Sequence, residues 1–262
     1  MINIMRYPRT THIAGSRKSG DDFELTDQSF ETALQGKNVV YEYKIDGSNC
    51  GVSFEDGCMI LQSRGHELRG GPREREFVQF RIWANRFQHD LFDVLGNRYI
   101  FYAENLYAKH TVFYDNLPHY IFEFDVYDKE RQLFLSTKAR QKLLEGLSYS
   151  AVPIAYMGIA TTLEHLKSFI QPSFYKTSNW KENLRKQAKN TGQDFALIEA
   201  QTDMSELDEG VYIKVETDEE TIGRYKFVRD SFTNSILNQG SHWHDRPILP
   251  NMLTLGVDIL SE

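Results

Sequence analysis

Apolar and polar residues alternate along several stretches of this chain, and each such stretch predicts a β-strand. The first covers residues 39–45, with Val40, Glu42 and Lys44 on one face and Val39, Tyr41, Tyr43 and Ile45 on the other. Residues 49–55 and 58–63 alternate too, joined by the turn signal Glu55-Asp56-Gly57, and three strands in succession predict an antiparallel sheet. Further strands are predicted at 99–105, 119–127, 209–216 and 222–228. A period near 3.6 replaces alternation over residues 73–95, where Phe77, Phe80, Ala84, Phe87 and Leu91 predict one packing helix stopped by Gly96. Shorter helices are predicted over 27–34, closed by Gly36, from a Ser136 cap to about residue 147, from a Thr161/Glu164 capping box, and from Ser178 to about Gly192.

Neither end of the chain has a regular period. Residues 1–36 read as an N-terminal segment packed on the core. Residues 231–262, with Ser241-His242-Trp243-His244 and the run from Pro247 to Pro250, read as a short extension that folds back as a cover. Between them, residues 37–230 read as one α+β domain, an antiparallel sheet with peripheral helices. No repeat or low-complexity linker divides it.

Composition narrows the class. With 262 residues, 40% hydrophobic and 13% aromatic, the chain can bury a full core without disulfides or metals. Its two cysteines, Cys50 and Cys58, form no zinc-site spacing, and a reducing compartment is expected. No apolar run approaches the roughly 18 residues of a membrane span. A soluble, cytoplasmic, monomeric protein with no membrane association is therefore expected. The net charge of −7 argues against a protein that coats nucleic acid by bulk electrostatics and leaves a local basic cleft open.

The candidate chemistry lies at strand ends: Lys44, Arg64, Glu104, Asp125, Glu209, Lys214, Arg224 and Lys226. Lys44 taken alone also fits an exposed strand-end lysine before an Asp-Gly hairpin turn. The loop carrying Arg64, His66, Arg69, Arg73 and Arg75, softened by Gly65, Gly70 and Gly71, suits phosphate contact and also fits an ordinary surface loop. Together the set is more specific. A nucleophilic lysine needs a neutral amine, and nearby cations or a bound metal favour that state. Carboxylates supply hard oxygen ligands or ribose acceptors. The combination suits phosphoryl or nucleotidyl transfer.

Five ordered motifs carry a family resemblance: Lys44-Ile45-Asp46-Gly47, Ala103-Glu104-Asn105-Leu106-Tyr107, Phe122-Glu123-Phe124-Asp125, Glu209-Gly210-Val211-Tyr212-Ile213-Lys214, and Arg224-Tyr225-Lys226. Over roughly residues 40 to 230 the chain resembles the covalent nucleotidyltransferases, which comprise RNA ligases, DNA ligases and mRNA capping enzymes. With Asn49 five residues after the lysine, and Arg64 beyond it, it looks most like the phage-type ligases that seal nicks in double-stranded RNA. The resemblance implies an ATP-grasp-like ligase core and ATP with Mg2+ or Mn2+. Lys44 would form a lysyl-adenylate, and the AMP would pass to an RNA 5′-phosphate that a 3′-hydroxyl then attacks. Catalytic roles would fall to Lys44, Glu209, Lys214 and Lys226, with Glu209 assisting the metal. Nucleotide contacts would come from Tyr43, Asp46, Gly47, Asn49, Arg64, Glu104 at the ribose, Phe124 stacked on the adenine, Lys214 and Lys226. RNA contacts would come from Asn49, Arg64, Arg69 and Arg224. Asp125 matches an acidic position of the family. A protein partner in RNA repair is compatible with the resemblance.

Three features depart from the pattern. Ala103 and Tyr107 stand where glycines are common, Arg224 stands where lysine is usual, and the stretch after Val228 is too short for a C-terminal OB-fold. The alternatives are a non-catalytic nucleic-acid-binding module of the same fold, a capping-type enzyme that takes GTP, and a DNA ligase. The 2′-hydroxyl on the 3′-hydroxyl side of a nick distinguishes the last.

Overall fold

A computed structural model describes residues 4–16, 27–232 and 247–261. The Ser241-His242-Trp243-His244 motif, and residues 17–26 of the N-terminal segment, lie outside the described residues. Eleven strands form one sheet: β1 (Thr11–His12), β2 (Asn38–Lys44), β3 (Ser48–Glu55), β4 (Cys58–Ser63), β5 (Tyr99–Asn105), β6 (Ile121–Asp128), β7 (Leu133–Leu135), β8 (Ser150–Ala151), β9 (Ile154–Ile159), β10 (Gly210–Glu216) and β11 (Glu220–Val228). The helices are α1 (Phe30–Ala33), α2 (Val78–Arg86), α3 (Gln88–Leu95), α4 (Thr137–Leu143), α5 (Leu163–Lys167), α6 (Trp180–Asn190) and α7 (Phe195–Ala200). The strand order is β4-β3-β5-β6-β7-β11-β10-β2-β9, antiparallel throughout, with β1 added parallel to β11 and β8 parallel to β6.

The sheet is large and antiparallel, as alternation predicts, but β2 and β3 do not pair with each other. β2 lies between β10 and β9, while β3 lies between β4 and β5. Ile45-Asp46-Gly47 is therefore a crossing between two halves of the sheet and not a hairpin turn. The hairpin is at Asp56-Gly57, where both residues have positive φ (49° and 76°), the geometry that a two-residue turn between twisted strands requires. Among the described residues, only the three-residue β7 bridges the halves on the far side, and a cleft lies beside the crossing.

Packing fixes each half. Phe80, Trp83, Ala84, Phe87, Leu91 and Leu95 bury one helical stripe against Cys50, Val52, Phe54, Phe101 and Ala103 of β3 and β5. The single helix expected over 73–95 is divided into a 3-10 turn (Pro72–Phe77), α2 and α3, because Phe87 leaves helical geometry (φ −104°, ψ 22°). Its ring stays buried, so the apolar stripe survives the break. On the other half, Val39, Tyr41, Val211, Ile213 and Phe227 pack with Ile13, Phe30 and Leu34, which seats the described part of the N-terminal segment on the sheet.

Three local expectations change. Thr162, not Thr161, caps α5, accepting the His165 N–H at 3.1 Å. α6 begins at Trp180 behind Asn179 rather than at Ser178, and α7 and the edge strand β9 carry no clear period. Residues 247–261 fold back over the loop after β5: the Asn251 side chain accepts the Tyr114 N–H at 2.9 Å and donates to the Leu106 carbonyl at 2.7 Å. Among the described residues, no helix is long and apolar enough to cross a membrane.

Candidate active site

The crossing is built on Asp46. Its Oδ2 accepts the backbone N–H groups of Thr111 and Val112 at 2.6 and 2.7 Å, and its own N–H donates to the Tyr114 hydroxyl at 2.9 Å. These bonds tie the Lys44–Gly47 loop to the segment after β5. Gly47 adds the close approach: a Cβ there would stand 2.6 Å from the Asn105 carbonyl oxygen and 2.6 Å from Leu106 Cδ2. Gly47→Ala must displace the loop, and we expect it to lower any reaction at Lys44 by at least about tenfold, measured as the rate of covalent labelling.

The loop delivers Lys44 to the wall of a cleft of ≈ 380 Å³. Lys44 Nζ lies 2.6 Å from Glu209 Oε2, with the two side chains 24% and 8% exposed. The cross-strand pair Lys44–Gly210 sets this contact, since Glu209 directly precedes β10. Burial alone would lower the Lys44 pKa, but Glu209 and Glu104 outweigh it and raise it, so the resting side chain is an ammonium. Burial in turn raises Glu209, against the pull of Lys44. Burial also pushes Glu104 up to about 7, although Lys44 and His110 oppose it.

Because the folded pKa of Glu104 is raised, its contribution to stability is present below the ordinary 4.5 and is lost as pH rises through about 7. The thermal unfolding midpoint should therefore fall between pH 5 and 8 more in the parent than in Glu104→Gln. Equal slopes would remove Glu104 from this balance.

Tyr43, Gly47, Asn49, Arg64, Glu104, Phe124 and Lys226 also line the cleft. Asn49 and Glu104 are direct cross-strand partners, and Glu104 Oε1 accepts the Gly47 N–H at 3.1 Å. The β5–β6 register shifts between Tyr102 and Ala103, leaving Phe124 without a ladder partner. Such an irregularity re-aims a side chain. The Phe124 ring is held edge-on by Tyr7 at 5.2 Å and meets the tilted ring of Tyr212 at 6.4 Å.

Five expected residues are not brought to the cleft wall. Asp46 turns inward, as described. Lys214 is fully buried, 3.1 Å from Glu42 and 3.1 Å from Asp125, and donates to the Phe124 carbonyl. Arg224 packs over the Phe134 ring at 3.6 Å, and Arg69 is exposed and paired with Glu67 at 2.6 Å. Glu209 stands behind Lys44 rather than on the wall.

Among the described residues, no three His, Cys, Asp or Glu side chains converge on an ion site. Glu209 and Glu104 provide two carboxylates beside Lys44. That donor set fits a divalent ion that completes its shell with water and substrate phosphates, not a protein-only cage.

The sequence matches the RNA ligase family over residues 37–228. The chain belongs to the RNA ligase family. No match to it was found among curated protein sequences. Similar solved structures are of Naegleria gruberi RNA ligase. An apo aspartate-to-alanine mutant is 18% identical with a TM-score of 0.50, covering 79% of this chain and 53% of that one. A lysine-to-alanine mutant with ATP and Mn is 16% identical, TM-score 0.49, covering 77% and 52%. The enzyme with PPi is 18% identical, TM-score 0.49, covering 76% and 52%. The likeness is one of fold, and this RNA ligase family member spans about half the length of those chains.

Sequence reasoning missed several cleft residues of the family member. Tyr7 and Thr10 hold Tyr212 through hydroxyl contacts of 2.7 and 3.1 Å. Ser48, Glu76 and His110 form a buried cluster on the wall. None had a periodic signal of its own, because segments far apart in sequence bring them together.

Proposed function

We propose that this chain is the adenylation core of an ATP-dependent RNA ligase, an ATP-grasp-like nucleotidyltransferase domain that works through a lysyl-AMP intermediate. The observation that carries the reading is Lys44, on the wall of a cleft lined by Glu104, Phe124 and Lys226 and paired with Glu209 behind it, in a member of the RNA ligase family. ATP and Mn accompany the N. gruberi ligase, and the donor set here suits both.

Phe124 offers a face for adenine, Glu104 a hydrogen-bond acceptor for the ribose, and Lys226 a cation for phosphate. Lys44 Nζ, once deprotonated, attacks the α-phosphorus. A P–N bond forms, the bond to the β-phosphate bridging oxygen breaks, and pyrophosphate leaves with that electron pair. Glu209 Oε2, 2.6 Å from Nζ, is the nearest acceptor for the proton. Glu209 would help hold a divalent ion, which when bound would supply positive charge that favours the neutral amine and the leaving pyrophosphate. In the second step an oxygen of the RNA 5′-phosphate takes the AMP, the P–N bond breaks, and Lys44 recovers its proton. A 3′-hydroxyl then attacks that 5′-phosphate and releases AMP.

Asn49 and Arg64 are assigned to the 5′-phosphate, and Arg69, exposed on the same loop, to the RNA backbone beyond it. Lys214 acts from beneath, holding the Phe124 carbonyl, and Arg224 acts through the Tyr7 and Phe134 rings. The test is incubation with α-labelled ATP and Mg2+ or Mn2+. Acid-stable label on the chain supports the reading. Label from GTP alone would favour a capping-type enzyme, and no label with retained binding to nicked RNA would favour a non-catalytic module.

A further inference from the structure

Three buried side chains on the cleft wall take no part in the steps above: Ser48 at the start of β3, Glu76 in the turn before α2, and His110 in the loop after β5. The Ser48 hydroxyl donates to Glu76 Oε2 at 2.6 Å and lies 3.0 Å from His110 Nε2. The same Nε2 lies 3.2 Å from the same Oε2. Both imidazole contacts use one ring nitrogen, so the cluster is not a Ser-His-Glu relay, which needs both. Burial disfavours the His110 cation, but the hydrogen bond to Glu76 and nearby carboxylates outweigh it and raise the pKa. The Ser48 hydroxyl and the His110 ring thus both meet Glu76 on one oxygen.

The other oxygen, Oε1, is buried and has no hydrogen-bond partner among the described residues, although Glu76 is only 5% exposed. Such an atom in a folded protein requires an explanation. A carboxylate oxygen accepts and does not donate, so a phosphate cannot satisfy it. A hydroxyl can. Glu76 shares its wall with Arg64. On the ligase reading Arg64 meets the 5′-phosphate, and the RNA strand joined to that phosphate would end in a ribose diol.

We infer that Glu76 Oε1 receives the ribose hydroxyls of the RNA strand that supplies the attacking 3′ end, and so selects RNA at that end. The inference rests on the ligase reading. Its test uses the full chain, a pre-adenylated RNA donor, and acceptor strands ending in ribose or in 2′-deoxyribose with the 3′-hydroxyl kept. The parent should seal the ribose-ended acceptor about tenfold faster, and in Glu76→Ala that ratio should fall to about one. Glu76→Met keeps the length of the side chain, removes the acceptor and carries the same test should the alanine variant not fold. The preference for ATP over 2′-deoxy-ATP in lysine labelling should stay as in the parent. An unchanged ratio in the variant would overturn the inference. So would a changed ATP preference, which would put Glu76 on the nucleotide instead. A parent that neither labels with ATP nor seals the pre-adenylated donor would overturn the ligase reading first, whatever the variant did.

Discussion

Lys44→Arg is expected to abolish the covalent ATP label, a loss of at least about a thousandfold, while the thermal unfolding midpoint stays that of the parent. Arginine keeps a cation beside Glu209, but its guanidinium does not deprotonate and cannot form the P–N bond. Lys44→Met separates the two roles. It also loses the label, and it leaves Glu209 buried with no cation 2.6 Å away. Burial already raises the Glu209 pKa, so the carboxyl in Lys44→Met takes up a proton more readily still. For an acid whose folded pKa is raised, stability is present at low pH and is lost as pH rises through that pKa. The methionine variant should therefore unfold near the parent midpoint in mild acid and below it in mild base. Both variants should still seal pre-adenylated RNA, because the last step needs no amine at position 44. Retained label in Lys44→Arg would sink the assignment of the nucleophile.

How far the site could be read from the sequence depends on where each residue lies. Lys44, Glu104, Phe124 and Lys226 sit on strands, where period-2 alternation states which face each side chain occupies, and the cleft gathers all four. Glu42 shares a face with Lys44, as alternation requires, yet lies deeper, paired with Arg140. The geometry of the crossing was not legible. Asp-Gly fits a hairpin and a crossing equally well, and only the Asp46 bonds to Thr111 and Val112, some sixty-five residues away, decide between them. Glu76, His110 and Tyr7 come from loops whose contacts are set by tertiary packing. β9 was missed because Ile154-Ala155-Tyr156-Met157-Gly158-Ile159 has apolar residues on both faces and a glycine within it.

The second large effect lies under Phe124. Glu42, Glu123, Asp125, Arg140 and Lys214 are wholly buried: Arg140 pairs with Glu42 and Glu123, and Lys214 with Glu42 and Asp125. Replacing such a network by apolar residues throughout can be neutral, but removing one partner strands a buried charge. Arg140→Leu strands Glu123 and half-frees Glu42, so it should cost about 3–5 kcal/mol and lower the unfolding midpoint by about 6–20 °C. The loss should be greatest above neutrality. Burial pushes Glu123 up to about 7 even with Arg140 opposing it, so without Arg140 the carboxyl is held neutral more strongly. Stability of the variant is then best preserved near the ordinary value of 4.5 and declines as pH rises past 7. Adding Glu123→Gln to Arg140→Leu should recover part of the loss, and that coupling is the sign of a stranded charge rather than of a cavity. The same variant should weaken ATP labelling at subsaturating nucleotide, because Lys214 holds the Phe124 carbonyl and depends on Glu42 for its own position. If Arg140→Leu unfolded with the parent at every pH, the buried network would not be holding Phe124 in place.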